Sequence, residues 1–417
     1  MPLLSSVDLI LMGHQGENSK ALIGAIAIGA AVFNIIYWGF GFLRMGTTGL
    51  TAQAYGANNQ QQIAKLFFQS GLIALVVGLL IIILQSPIGN FSFWLLDAQN
   101  QSGNWARQYF DIRIWAAPAV LLLYVLNGWF FGMQNAKYPT IIVVAINLFN
   151  IALNYYFVVI KGMMADGVAL GTMISQYLGL ALAFGLLLYK YTNYIKKYAL
   201  LLQSTIAELK HFFSVNSDIF IRTLSLIVTF TFFTKASNTE GDLILSVNSV
   251  LLQLLYLMSY AVDGFAYASE SLVGKYKGAN NVDKLKKSVY YSFYWGMAFA
   301  AIFMLLYALF GKTFVSLFAE SPDIVEQSQP FINWLILCVM FGAAAFIWDG
   351  VYIGATATKA MRNTMLMATF LVYFPAYYLF YPLIGNHALW LAMVLYMLSR
   401  TIGLTILSKW HIFGETT

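Results

Sequence analysis

The sequence predicts an all-α polytopic membrane protein, with twelve transmembrane helices, the first of them truncated, in two pseudo-symmetric six-helix lobes. Three observations carry this. Of 417 residues, 60% are hydrophobic and only 10% charged, against about a quarter charged in a soluble domain; the mean hydropathy is +0.71. The apolar residues gather into runs of the length needed to cross a hydrocarbon core of about 30 Å. Short motifs then recur at one fixed offset along the chain.

The first run, Pro2 to Gly13, offers twelve residues, whereas a span needs about 20 at 1.5 Å each. Charge-free runs follow at Ala21 to Leu43, Leu66 to Leu96, Ile114 to Ala136, Tyr138 to Ile160 and Gly167 to Tyr189. A lysine-rich connector, 190–210, separates these six from a second set near 211–234, 243–274, 288–311, 327–356, 363–385 and 388–408. Glycine and proline interrupt several runs, which membrane helices tolerate when neighbours satisfy the freed backbone groups.

The two halves repeat. AYGANN at Ala54 to Asn59 reappears as KYKGANN at Lys275 to Asn281, with Gly56 and Gly278 separated by 222 residues. At the same offset YVLNGWFFG (Tyr124 to Gly132) meets FIWDGVYIG (Phe346 to Gly354), Lys137 meets Lys359, and Tyr155-Tyr156 meets Tyr377-Tyr378. We therefore expect lobes at 1–205 and 206–417, related by an axis along the membrane normal, with the working site at or near their interface. Under this offset Ile206 maps about sixteen residues before Met1, so the expected first span is missing its start.

Lysine and arginine set the orientation. Alternate connections, beginning with that between the second and third spans, hold thirteen of them, Lys65, Lys137, Lys275, Lys359 and Arg362 included. The other connections hold six: Lys20, Arg107, Arg113, Lys161, Lys235 and Lys312. Positive charge stays on the cytoplasmic side. The lysine-rich set and both termini are expected there, in a multi-pass protein of the inner (plasma) membrane.

Composition also narrows the function. No basic-aromatic patch suggests nucleic acid. The one cysteine, Cys338, rules out an intramolecular disulfide, and four scattered histidines show no ligand spacing; an integral-membrane enzyme, a metal and an organic cofactor are not expected. The groups that stand out are ionisable residues inside spans, which are costly there and functional by default. Asp8 sits alone in the first apolar run and is a candidate proton carrier. In the fifth span Asn147, Asn150 and Asn154 can share one stripe, and Thr172 and Gln176 lie four apart in the sixth. Amides can hydrogen-bond either form of a carboxyl, so they suit a group that gains and loses a proton; interhelical packing is the alternative. The second half places Asp263 and Glu270 two turns apart on one face, Asp218 and Arg222 at i, i+4, and Asp349 where the first half has Asn127. These make either a cation or proton site or a structural ion-pair cluster, with Arg222 neutralising one of the acids. The tyrosines Tyr37, Tyr124 and Tyr155 offer aromatic surface to organic compounds and, with Asn34 and Gln176, are the candidate substrate contacts.

Several stretches together resemble the multidrug and toxic compound extrusion (MATE) family, in its DNA-damage-inducible F-like branch. They are PLLSSVDLILMG, WGFGFLRMGTTGLTAQAYGANN (Trp38 to Asn59), NLFNIALNYYFV (Asn147 to Val158), DGVALGTMISQ (Asp166 to Gln176), DGFAYASESLVGKYKGANN (Asp263 to Asn281) and WDGVYIGATATKAMRNT (Trp348 to Thr364). The resemblance implies two six-helix bundles set in a V, acting as a monomer, that exchange protons or sodium for amphipathic organic cations and other drugs by alternating access. It makes Asp8 the expected first-lobe coupling residue, helped by Asn150, Asn154 and Thr172. The family's sodium-coupled members carry a second-lobe acid matched by Asp349, but their helix 7 glutamate falls near Arg222. That departure favours protons over sodium. A lipid or lipid-linked oligosaccharide flippase of the same plan is the rival reading. It would present a basic cavity, and the membrane-buried arginines are few, chiefly Arg44, Arg222 and Arg400.

Overall fold

A computed structural model describes residues 19–95, 101–198, 206–319 and 321–414, and among them there is no strand. Its helices are α1 (Ser19–Gly39), α2 (Phe42–Gly56), α3 (Gln60–Ile83), α4 (Gln85–Leu95), α5 (Gln101–Arg113), α6 (Ala117–Gly132), α7 (Lys137–Asn154) and α8 (Ala165–Tyr198). The second half supplies α9 (Ile206–Thr239), α10 (Asp242–Gly278), α11 (Val282–Ser316), α12 (Pro322–Gly354), α13 (Thr358–Met367), α14 (Phe374–Ile384) and α15 (Asn386–His411). Eleven helical segments of the described residues are long and apolar enough to span a membrane. They correspond in order to the second to twelfth expected spans. Their outward positions are apolar, Leu309 and Leu383 among them, as a hydrocarbon surround requires. The expected first span, with Asp8, lies outside the described residues.

Charged residues sit inside helices where the sequence placed connections. Arg107 and Arg113 belong to α5, which runs through a short 3₁₀ turn, Ile114–Ala116, into α6. Each is held locally: Arg107 pairs with Asp111 one turn on (3.1 Å) and donates to Asn90 Oδ1 (2.9 Å), and Arg113 donates to the Tyr109 hydroxyl and lies over the Phe33 ring. Lys65, counted as a loop cation, is buried in α3. The expected third span divides into α3 and the separate α4 around Leu84, and α8 carries on to Tyr198, past the expected end at 189.

The chain forms two compact units, Met1–Thr47 with Gln60–Ser204, and Thr48–Asn59 with Thr205–Thr417. The excursion of Thr48–Asn59, the second half of α2, into the second unit is what sequence alone did not signal. In the first unit Phe33, Tyr37, Tyr109 and Phe110 pack with aliphatic residues of α1, α3, α6 and α8. A second aromatic group holds α6 against α3, with the buried Trp129 donating Nε1–H to the Ile63 carbonyl (3.1 Å) and its ring meeting that of Phe67. In the second unit the core runs through α9 to α15. Asn248 there ties three helices, donating to Ser237 Oγ (2.8 Å) and Asn386 Oδ1 (2.8 Å) and accepting from Trp390 Nε1 (2.8 Å). Polar groups so buried must be paired, and this network is.

The 222-residue register is written into the backbone. α2 and α10 end at Gly56 and Gly278, α6 and α12 at Gly132 and Gly354. Each ending is followed two residues later by a non-glycine residue at positive φ: Asn58 (54°), Asn280 (52°), Gln134 (60°) and Thr356 (50°). Matching turns in a left-handed conformation that non-glycine residues rarely adopt are strong evidence that the halves share one fold.

Candidate functional site

The first-unit candidates come together on two helices. The spacing of Asn150 and Asn154 aligns them on α7, and the 0% exposed pair faces α8. Asn154 Nδ2 donates to Asn150 Oδ1 (3.2 Å), and Asn150 Nδ2 donates to Thr172 Oγ1 (3.0 Å). The result is a directed chain of three side chains in an apolar interior. Gly171 makes room for it: a Cβ there would strike the Asn154 amide oxygen. Directly after Asn154 the helix widens into a π-helical turn, Tyr155–Ile160. Such turns occur disproportionately at functional sites.

The substrate candidates divide. Tyr37 is buried beside Phe33 (5.5 Å between ring centroids), and its hydroxyl has no hydrogen-bond partner among the described residues. Tyr124 packs against the same aromatic group. Gln176 is half-buried, whereas Asn34 and Tyr155 are exposed. Asn127, matched by offset to Asp349, holds a buried amide oxygen with no partner among the described residues, and the position matching Arg400 is Leu178.

In the second unit Arg222 reaches an acid on another helix. Arg222 does not pair with Asp218, although they lie one turn apart. Asp218 is held by Arg362 Nη1 (2.6 Å) and Thr358 Oγ1 (3.0 Å), both on α13. Arg222 of α9 instead donates Nη2 to Asp349 Oδ2, and Arg400 of α15 donates its own Nη2 to that same oxygen (2.7 Å). The three are 7%, 5% and 1% exposed. Asp349 thus has its charge covered from two sides, the arrangement of an ion-pair cluster. Among the described residues no group of three or more acidic, histidine or cysteine side chains converges to hold a metal ion; Glu270 of α10 is buried and Asp263, two turns before it, is half-buried. Arg400 was the residue missed. Its signal was present, an arginine in the middle of an apolar run, but nothing in the sequence revealed which acid it reaches.

A second π-helical turn, Ala368–Tyr373, interrupts the helix between α13 and α14. It sets Thr369 Oγ1 3.3 Å from Thr229 Oγ1 and the Tyr373 ring 5.9 Å from Tyr396. The Arg400 guanidinium in turn lies over Tyr396 (5.3 Å to the centroid). Both units therefore place a π-helical distortion beside their buried polar cluster.

The MatE family profile matches residues 1–156 and 219–379, which is most of the chain. The chain belongs to the MatE family. Its relatives include DNA damage-inducible protein F of Escherichia coli K12, 33% identical over 413 residues, covering 99% of this chain and 89% of that protein. A probable multidrug resistance protein NorM of Pasteurella multocida is 22% identical, covering 97% of this chain and 89% of that protein. Among solved structures, an outward-facing multidrug resistance MATE family transporter superimposes with a TM-score of 0.86 at 19% identity, covering 98% of this chain and 91% of that one. That likeness extends to the fold. As a MatE protein the chain is a multi-pass membrane transporter of the multidrug and toxin extrusion type, and not an enzyme.

Proposed function

We propose that this MatE protein is a secondary active antiporter that exports drugs or other amphipathic organic compounds in exchange for protons by alternating access. It works as a monomer in the inner (plasma) membrane with both termini cytoplasmic. The observation that carries the choice of ion is the fate of Asp349. An acid bonded to two guanidiniums repels a sodium ion from the second unit, which leaves the coupling to a carboxyl in the first. Asp8 fills that role, with the Asn154–Asn150–Thr172 chain supplying amides able to bond either protonation state.

In this mechanism a proton arriving from outside neutralises Asp8 and turns an acceptor-only group into one that also donates. The first-unit helices repack around the neutral carboxyl, and the drug site contracts and releases its occupant. Proton and drug compete because each stabilises a different arrangement, and differential affinity for two states is the whole of the coupling. The flippase reading has less support: few arginines are buried, and two of them are tied to one aspartate.

The test is export from proteoliposomes under an imposed pH gradient, with and without sodium. Export should follow the pH gradient, ignore sodium, and fall to background in Asp8→Asn; undiminished exchange by that variant would overturn the assignment.

A further inference from the structure

We propose that the second unit contains a site for an organic anion, in which Arg222 and Arg400 grip a carboxylate or sulfonate head and Asp349 occupies that place between ligands. Two guanidiniums share one carboxylate oxygen, and neither bonds another acid among the described residues. The group therefore holds two positive charges against one negative, almost wholly out of water. An uncompensated charge in such surroundings is heavily penalised, and an incoming anion that takes over the guanidinium forks while Asp349 stays beside them brings the charges level. Donor capacity for one is present: among the described residues the Nε of Arg222 and the Nε of Arg400 are buried without a partner.

The surroundings define the rest of the ligand. Arg400 lies against the Tyr396 and Phe346 rings (5.3 and 5.7 Å), which fixes its fork, and the half-buried Phe346 is the apolar surface beside it. The Tyr373 hydroxyl, without a partner among the described residues, adds a neutral donor nearby, and the π-helical turn that presents it is a place where the helix can yield. Guanidinium forks recognise planar anions bidentately. A single-headed anion suits a charge pair buried within one bundle better than a two-chain lipid does.

The site rests on the transporter reading only for its place on an export route, since binding can be measured without any gradient. Isothermal titration calorimetry of the full chain in an uncharged detergent compares naphthalene-2-sulfonate with 2-naphthylmethylammonium, which share a body and differ in charge. The sulfonate should bind about tenfold tighter or more, a difference of about 1.4 kcal/mol. Arg222→Met leaves a neutral Arg400–Asp349 pair and should abolish that preference while the ammonium is unaffected. Should this variant fail to fold, Arg222→Lys must keep the preference. Asp349→Asn removes the resident competitor and should tighten sulfonate binding about tenfold, an effect that a purely structural ion-pair cluster would not give. No preference for the anion, or weaker sulfonate binding by Asp349→Asn, would overturn the site. Tighter binding of short-chain phosphatidylglycerol than of the sulfonate would overturn its assignment to a soluble anion. Loss of pH-driven export with this binding intact would sink the antiport reading alone.

Discussion

Gly56 and Gly278 make the same contact in opposite directions. A Cβ on Gly56 would run into the Lys275 carbonyl oxygen on α10, and a Cβ on Gly278 into that of Gln53 on α2, and Gln53 and Lys275 are themselves 222 residues apart. Helix α2 is locked further at its end, where Gln53 Nε2 donates to the Gly354 carbonyl and to Thr356 Oγ1, both at 3.0 Å. Small residues allow this approach, and backbone atoms cannot step aside for a side chain. Gly56→Ala and Gly278→Ala should each cost about 1–3 kcal/mol and lower the thermal unfolding midpoint in detergent. Gly71→Ala, in α3 with open space around the glycine, should not.

Removing the shared acid should hurt stability more than removing one of its partners. Asp349→Asn strands two buried guanidiniums and should cost about 3–5 kcal/mol, the usual penalty for breaking a buried pair. Arg222→Met leaves one matched pair and should cost less. Thermal unfolding in an anion-free buffer checks the order, and adding the aryl sulfonate should recover part of the loss in Asp349→Asn.

Thr172→Val keeps the shape of the side chain and removes the acceptor for Asn150 Nδ2. Leaving a buried donor unmade costs about 1–3 kcal/mol, and pH-driven export should fall with it. Thr172→Ser restores the oxygen and should restore export. Initial export rates and expression measured side by side separate this from a folding defect.

The orientation can be read with single cysteines, because the native Cys338 is buried and free. In intact cells Lys161→Cys should react with a membrane-impermeant maleimide, whereas Lys284→Cys should react only after the cells are opened. The reverse pattern would invert the proposed topology.

What was legible in the sequence followed from short-range physics. Hydropathy located eleven spans because a bilayer demands long apolar helices whatever their neighbours. The internal register survived because the turns after Gly56, Gly132, Gly278 and Gly354 need the same unusual backbone. The alignment of Asn150, Asn154 and Thr172 was likewise readable, since helical spacing fixes which side chains share a face. Tertiary structure alone decided the partners. Arg222 lies one turn from Asp218 yet bonds Asp349, 127 residues away, because a side chain in a bundle answers to the helix packed against it. For the same reason Arg400 could be seen as buried but not as the second claimant on one carboxylate oxygen, and the second half of α2 could be read as a helix but not as part of the other unit.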